Sequence, residues 1–249
     1  AVWPASLGIE VELVARVAAA DRARLTNYFE TKFVIAKLEP DENTHTGKIV
    51  VLVEGNNRTF FTDRGANANL VANSADLSKT DVLYLSGYAV MSMGIARTQE
   101  LIEKAASAGV LVAVDPGSKS FISQFGAAEF LEAIASADFI FPNADEFELL
   151  SRHADLQELF SEVVVTSGEH GAEVLGIAKA PAVDAIFSAI LSSEARRAGN
   201  RFELSHCALR YAAGSNAGRT EHYKSLRSFD YFLSMGTALE SNERRNYLL

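Results

Sequence analysis

Between Asp81 and Thr166, four short and almost wholly apolar runs are separated by helical patterns, and this alternation limits the fold more than any other feature. Val82-Leu-Tyr-Leu85 stops at Ser86-Gly87, and Val110 to Val114 stops at Asp115-Pro116-Gly117. Phe139 to Phe141 stops at Pro142, and Val163-Val-Val165 is the fourth run. Between them, Ile95, Leu101, Ile102, Ala105 and Ala108 form a helical stripe closed by Gly109, and Phe130, Leu131 and Ile134 mark a second helix. Strands apolar on both faces and joined by amphipathic helices predict an α/β fold, a parallel-rich sheet with helices on both faces. In open sheets of this kind ligands sit beyond the carboxyl ends of the strands.

Asn143 and Glu146 follow one of those strand ends directly. Three residues apart, they share one helix face. A carboxamide and a carboxylate at that edge suit a hydrated Mg²⁺ beside phosphate oxygens. The spacing is also that of a capping box, with Asn143 as N-cap and Glu146 at N3. Upstream, Thr46 to Val53, a Glu54-Gly-Asn-Asn57 turn and Arg58 to Thr62 predict a β-hairpin. An isolated hairpin is marginal in water, so it joins a small sheet covering the main domain or pairs with another subunit.

Three further pieces carry chemistry. Gly65-Ala66-Asn67 allows close backbone approach and offers an amide to sugar hydroxyls, although a turn and N-cap is the plainer use. Thr166-Ser-Gly168-Glu-His-Gly171 is a strand end with two glycines, able to pass under a nucleotide or to turn a hairpin. Asp184 stands directly before an apolar helix over 185–198, a position an N-cap also takes. A second helix is expected over 203–213, and 223–249 carries no interpretable motif.

With 249 residues, 48% hydrophobic and 22% charged, the chain reads as one globular domain over 1–249 with a hairpin appendage at about 44–64. No apolar run reaches the roughly 18 to 20 residues that span a bilayer, and no secretory signal is evident, so the expectation is a cytoplasmic protein without a membrane partner. The single cysteine, Cys207, fits a reducing compartment and reads as packing. A net charge of −9 argues against nucleic acid, and Arg196-Arg197 reads as the last turn of a helix. P-loop and dinucleotide signatures and a serine nucleophile elbow are absent. His45, His153, His170, His206 and His222 have no zinc spacing.

In order and together, these pieces resemble the ribokinase-like carbohydrate kinases of the phosphofructokinase-B group, from about Leu7 to Gly218. Leu7 to Val17 is similar to the family's second strand region. Thr46-Gly47, Glu54-Gly55 and Arg58-Thr59 are similar to its lid hairpin, and Asn143-Ala-Asp-Glu146 to its Asn-x-x-Glu motif. Thr166 to Gly171 resembles its nucleotide loop, and Asp184-Ala185 the end of its Gly-Ala-Gly-Asp signature. The resemblance implies ATP-dependent phosphorylation of a sugar hydroxyl. Asp184 is then the base, Asn143 and Glu146 hold Mg²⁺, and Thr166, Gly168, Gly171 and Asn216 face ATP. Gly65, Ala66 and Asn67 face the sugar, Asp115 neighbours the phosphates or merely forms its turn, and the lid closes over the sugar and serves a homodimer.

Two departures accompany the match. The family's opening strand, with a sugar-binding aspartate and a Gly-Gly…Asn segment, has no counterpart here, and Pro181-Ala182-Val183 stands where Gly-Ala-Gly precedes the aspartate. Proline has no N–H for an anion hole, and valine resists positive φ. We expect stretches of the family's chain to be absent around Val17–Ala18 and Val183–Asp184. The alternatives are a catalytically impaired sugar- or nucleotide-binding protein of the same fold, and a nucleoside kinase.

Overall fold

The computed structural model describes residues 1–6, 8–54, 57–180 and 246–248. Contacts group the chain into two compact units, one formed by Ala1–Val110 with Arg244–Leu249 and the other by Leu111–Glu243.

The first unit opens with helix α1 (Val2–Ser6), strand β1 (Glu10–Ala18), helix α2 (Arg22–Glu30) and strand β2 (Val34–Asp41). Strands β3 (Thr46–Glu54) and β4 (Asn57–Gly65) follow, then a 3₁₀ turn at Ala66–Asn69, β5 (Val82–Ser86) and helix α3 (Gly87–Ser107). Its main sheet is parallel, in the order β5, β11, β1, β2, where β11 is the short strand Asn246–Leu248. That strand lies in the tail whose sequence gave no signal. β1 runs unbroken through Val17 and Ala18, which register with Pro40 and Asp41 of β2. The second expected junction, Val183–Asp184, lies outside the described residues.

Apolar side chains of β1, β2 and β5 close the core of this unit, with Val11, Val34, Leu38, Leu83 and Ile102 all buried. α3 starts earlier than the apolar stripe implies, capped by Ser86, whose hydroxyl accepts from the Tyr88 amide. Gly94 (φ 75°, ψ 178°) breaks it into two helical pieces, so the helical period is lost upstream of Ile95. The expected stop at Gly109 is a Schellman ending: the Gly109 amide donates to Ala106 O and the Val110 amide to Ala105 O.

The hairpin β3–β4 forms a separate two-stranded antiparallel sheet, with Glu54 opposite Asn57 across the turn. Ile49, Val50, Val51, Leu52, Val53, Phe60 and Phe61 are all exposed, so both faces of the ribbon are apolar. At its base Thr46 registers with Gly65. Gly65 has φ +48°, and a Cβ there would overlap the His45 carbonyl oxygen and lie 2.7 Å from the Gly47 nitrogen. This is a close approach that only glycine permits.

The second unit contains β6 (Leu111–Asp115), α4 (Lys119–Phe125), α5 (Ala127–Ile134), β7 (Phe139–Ile140), α6 (Ala144–Leu150) and α7 (Leu156–Leu159). β8 (Glu162–Thr166), β9 (Ala172–Val174) and β10 (Ala178–Ala180) complete its described part. β6, β7 and β8 are parallel neighbours, and β9 and β10 add antiparallel to the β8 side. Phe130, Phe139, Ile122, Ile134 and Ile140 are fully buried, which is where the continuous apolar runs had to go. The expected α/β class and largely parallel sheet are therefore present.

Candidate active site

In the second unit the chain leaves β7, turns at Pro142 and enters α6 with Asn143 as its N-cap. Asn143 Oδ1 accepts from the Glu146 amide at 2.9 Å, while Glu146 Oε2 accepts from the Asn143 amide at 2.9 Å. The Asn143 carboxamide also donates to Glu146 Oε1 at 2.7 Å. The capping-box reading of this pair is therefore realised in full. Glu146 is only 2% exposed, a rare burial for a carboxylate with no cationic partner among the described residues. Burial pushes its carboxyl above the ordinary range, and the nearby charges of Asp115 and Asp145 add to the effect against the Asn143 bonds.

The neighbouring strand end completes the edge. Asn143 and Thr166 form a parallel bridge, and the Thr166 amide donates to Pro142 O at 2.9 Å. Beyond Thr166, Gly168 (φ 53°) and Gly171 (φ 89°) bound a tight 3₁₀ turn, closed by the Ser167 amide donating to Gly171 O at 2.7 Å. The structure thus brings Asn143, Glu146, Asp115 and the Thr166–Gly171 loop to one carboxyl edge of the second unit's sheet.

Each Glu146 oxygen makes one hydrogen bond within the box, and one carboxylate offers about four acceptor positions. Burial and the neighbouring Asp115 and Asp145 charges oppose ionisation of Glu146, and a bound cation would favour it. Among the described residues no group of three or more His, Cys, Asp or Glu is arranged around a common ion. The donor set fits a hydrated divalent ion shared with phosphate oxygens, and it does not form a closed protein cage.

In the first unit, Gly65, Ala66 and Asn67 form the turn after the hairpin. Asn67 Oδ1 accepts from the Arg16 amide at 2.9 Å. The residue lines a cavity of about 360 Å³ whose walls include Leu13, Ala15, Leu83, Leu85 and Met93. Arg64 at its margin donates to Ser92 Oγ and to Tyr88 O. Sequence reading missed Asp41, a buried carboxylate close to this turn. Its only signal was an aspartate ending an amphipathic strand, which many surface aspartates share. Asp184 and Asn216 lie outside the described residues, as do the helices expected at 185–198 and 203–213.

Comparison with known proteins adds the family. Residues 1–188 match the profile described as pfkB family carbohydrate kinase, three quarters of the chain. The chain belongs to the PfkB family. No protein of curated function matches it. Among solved structures, an adenosine kinase from Sinorhizobium meliloti aligns with TM-score 0.64 at 21% identity, covering 74% of this chain and 62% of that one. An uncharacterised sugar kinase from Pyrococcus horikoshii aligns with TM-score 0.64 at 17% identity, covering 85% and 77%. A Burkholderia thailandensis nucleoside kinase in complex with inosine aligns with TM-score 0.61 at 21% identity, covering 74% and 61%. The PfkB chain thus spans less than two thirds of the first and third of these proteins, and at such identities the likeness establishes the fold. Among its described residues no helix is long and apolar enough to cross a membrane.

Proposed function

We propose that this chain is part of an ATP-dependent kinase acting on a sugar hydroxyl. The observation that carries the reading is the buried Asn143–Glu146 couple beside Asp115 and the glycine-bounded Thr166–Gly171 loop. Asn143 and Glu146 would hold Mg²⁺, whose charge offsets the negative charge spread over the phosphates. Thr166, Gly168, Gly171 and Asn216 would face the nucleotide. Gly65, Ala66 and Asn67 would hold the acceptor, and Asp184 would take the proton of the attacking hydroxyl. We further propose that the 1–249 chain works as one ribokinase-like domain, in the cytoplasm, with the hairpin at about 44–64 as a lid that keeps water from the phosphate. The first experiment is a screen of sugars and nucleosides for ATP-dependent phosphorylation. ATP turnover with no member of the panel would reject the reading in favour of a binding protein impaired at Pro181-Ala182-Val183.

A nucleoside acceptor is the second reading, and one observation favours it. The cavity beside Asn67 is walled mainly by apolar side chains, which suit the flat face of a base better than a polyol. Faster turnover of nucleosides than of free sugars in the same screen would select it.

Glu146→Gln separates cap from metal. Glutamine at N3 still accepts the Asn143 amide of the capping box and gives up the bond from the Asn143 carboxamide, so the fold should persist at a modest cost while the charge is lost. The Mg²⁺ concentration for half-maximal activity should then rise about tenfold or more. An unchanged Mg²⁺ titration would remove the metal assignment.

The apolar ribbon supports a homodimer formed through the lid. Val53 and Phe61 are 66% and 59% exposed, and unpaired strand edges of this kind invite pairing with a second copy. Phe61→Glu should convert a dimer to a monomer in sedimentation experiments. A wild type that sediments as a monomer at all concentrations would defeat this part.

A further inference from the structure

The Ala66–Asn69 turn is fastened to the first unit's sheet by groups that the phosphotransfer reading does not use. The Asp41 carboxylate is 5% exposed and fully occupied. Its Oδ1 accepts from the Asn43 and Thr44 amides at 3.0 and 2.9 Å, and its Oδ2 from Arg16 Nε and Asn69 Nδ2, both at 3.0 Å. Arg16 also reaches the turn through its own amide, which donates to Asn67 Oδ1. Two positions back on β2, Glu39 accepts from the Val71 and Asn73 amides at 3.2 and 2.9 Å, and so ties the segment that follows. The Asn69 bond, foremost among these contacts, holds the Asp41 carboxyl well below the usual carboxylate range, so the acceptor role persists throughout ordinary pH.

The consequence falls on Asn67. With Oδ1 engaged by β1, its carboxamide has one orientation, and its Nδ2 makes no bond to another described residue while Asn67 lines the cavity. A side chain fixed by its oxygen presents its nitrogen as a donor in a set direction. The Arg16 amide that holds Asn67 belongs to β1, while Asp41 holds the Arg16 side chain and Asn69, so the two anchors bracket the turn.

We propose that Asp41 is a positioning residue for acceptor recognition: through Arg16 and Asn69 it latches the Ala66–Asn69 turn so that Asn67 offers its amide donor to an acceptor hydroxyl. The proposal deepens the kinase reading and rests on it for the identity of the turn as acceptor-binding. Asp41 touches no reacting atom. Its effect is confined to how tightly and in what pose the acceptor is held.

Asn69→Ala removes one bond to Asp41 and leaves the Arg16 pair. Asp41→Asn sets a carboxamide nitrogen against two donors and is the stronger test, with Asn69→Ala kept because it tolerates folding better. Two readouts are taken on the full chain. Amide hydrogen exchange over residues 66–70 should accelerate about tenfold or more in either variant, with α3 exchange unchanged. Turnover with ribose, fructose and adenosine as acceptors should show acceptor KM raised about ten- to a hundredfold with the KM for ATP unmoved. Unchanged exchange over 66–70 would overturn the latch. Faster exchange with an unchanged acceptor KM would overturn the positioning role. A wild type that phosphorylates none of the three is assayed with the acceptor found in the wider screen, and a screen without any acceptor sinks the kinase reading and the positioning role with it.

Discussion

Replacing Asp184 by asparagine is expected to lower kcat of the full chain by about 10² to 10⁴ while acceptor binding stays roughly as it was. The acceptor hydroxyl is a poor nucleophile until its proton is taken, and asparagine has no basic oxygen for it. Because the substitution keeps size and one hydrogen-bond acceptor, KM for the acceptor should change little. A general base lost in this way lowers kcat and kcat/KM by the same factor, the mark of an interaction made only in the transition state. Near-normal turnover would remove Asp184 from the role. The motif match alone nominates this residue, since Asp184 lies outside the described structure. The measurement therefore bears directly on whether Pro181-Ala182-Val183 still permits transfer.

The second large effect is expected at Gly65. Alanine there would hold φ near +48°, and its Cβ would meet the backbone of His45 and of Gly47, neither of which is a flexible side-chain end. Such strain costs about 1–3 kcal/mol before the clash is counted. For a chain of this size it should lower Tm by several degrees, about 2–4 °C per kcal/mol. The hairpin base can relieve the clash only by separating Thr46–Gly47 from Arg64–Gly65, which moves Ala66 and Asn67 as well. Acceptor KM should therefore rise along with the loss of stability. A Gly65→Ala protein with unaltered Tm and acceptor KM would show that this approach is not tight.

Much of the fold was legible because the strands of the second unit are buried on both sides. Val112, Val114, Phe139, Ile140, Val163 and Val164 had to be apolar without alternation, and that pattern has few other readings. Asn143 and Glu146 were legible for a local reason: the cap they form is set by three-residue spacing. Helix α3 was read only from Ile95 because Gly94 resets the period. Strand β11 could not be read, since Asn-Tyr-Leu after Arg244-Arg245 is too short to show a period. The Arg16–Asp41–Asn69 set was invisible for a different reason. Its members stand 25 and 28 positions apart along the chain, and no local pattern predicts that β1, β2 and a turn will meet.

The placement of Asn246–Leu248 between β1 and β5 has a consequence for biosynthesis. Those two strands emerge from the ribosome early, yet the strand that bridges them is made only after the entire second unit. At about 5–20 residues per second, β1 and β5 wait several to tens of seconds with unpaired edges facing each other. The nascent chain is thus most exposed to misassociation at its front half, and chaperone dependence should track translation speed through the rear half.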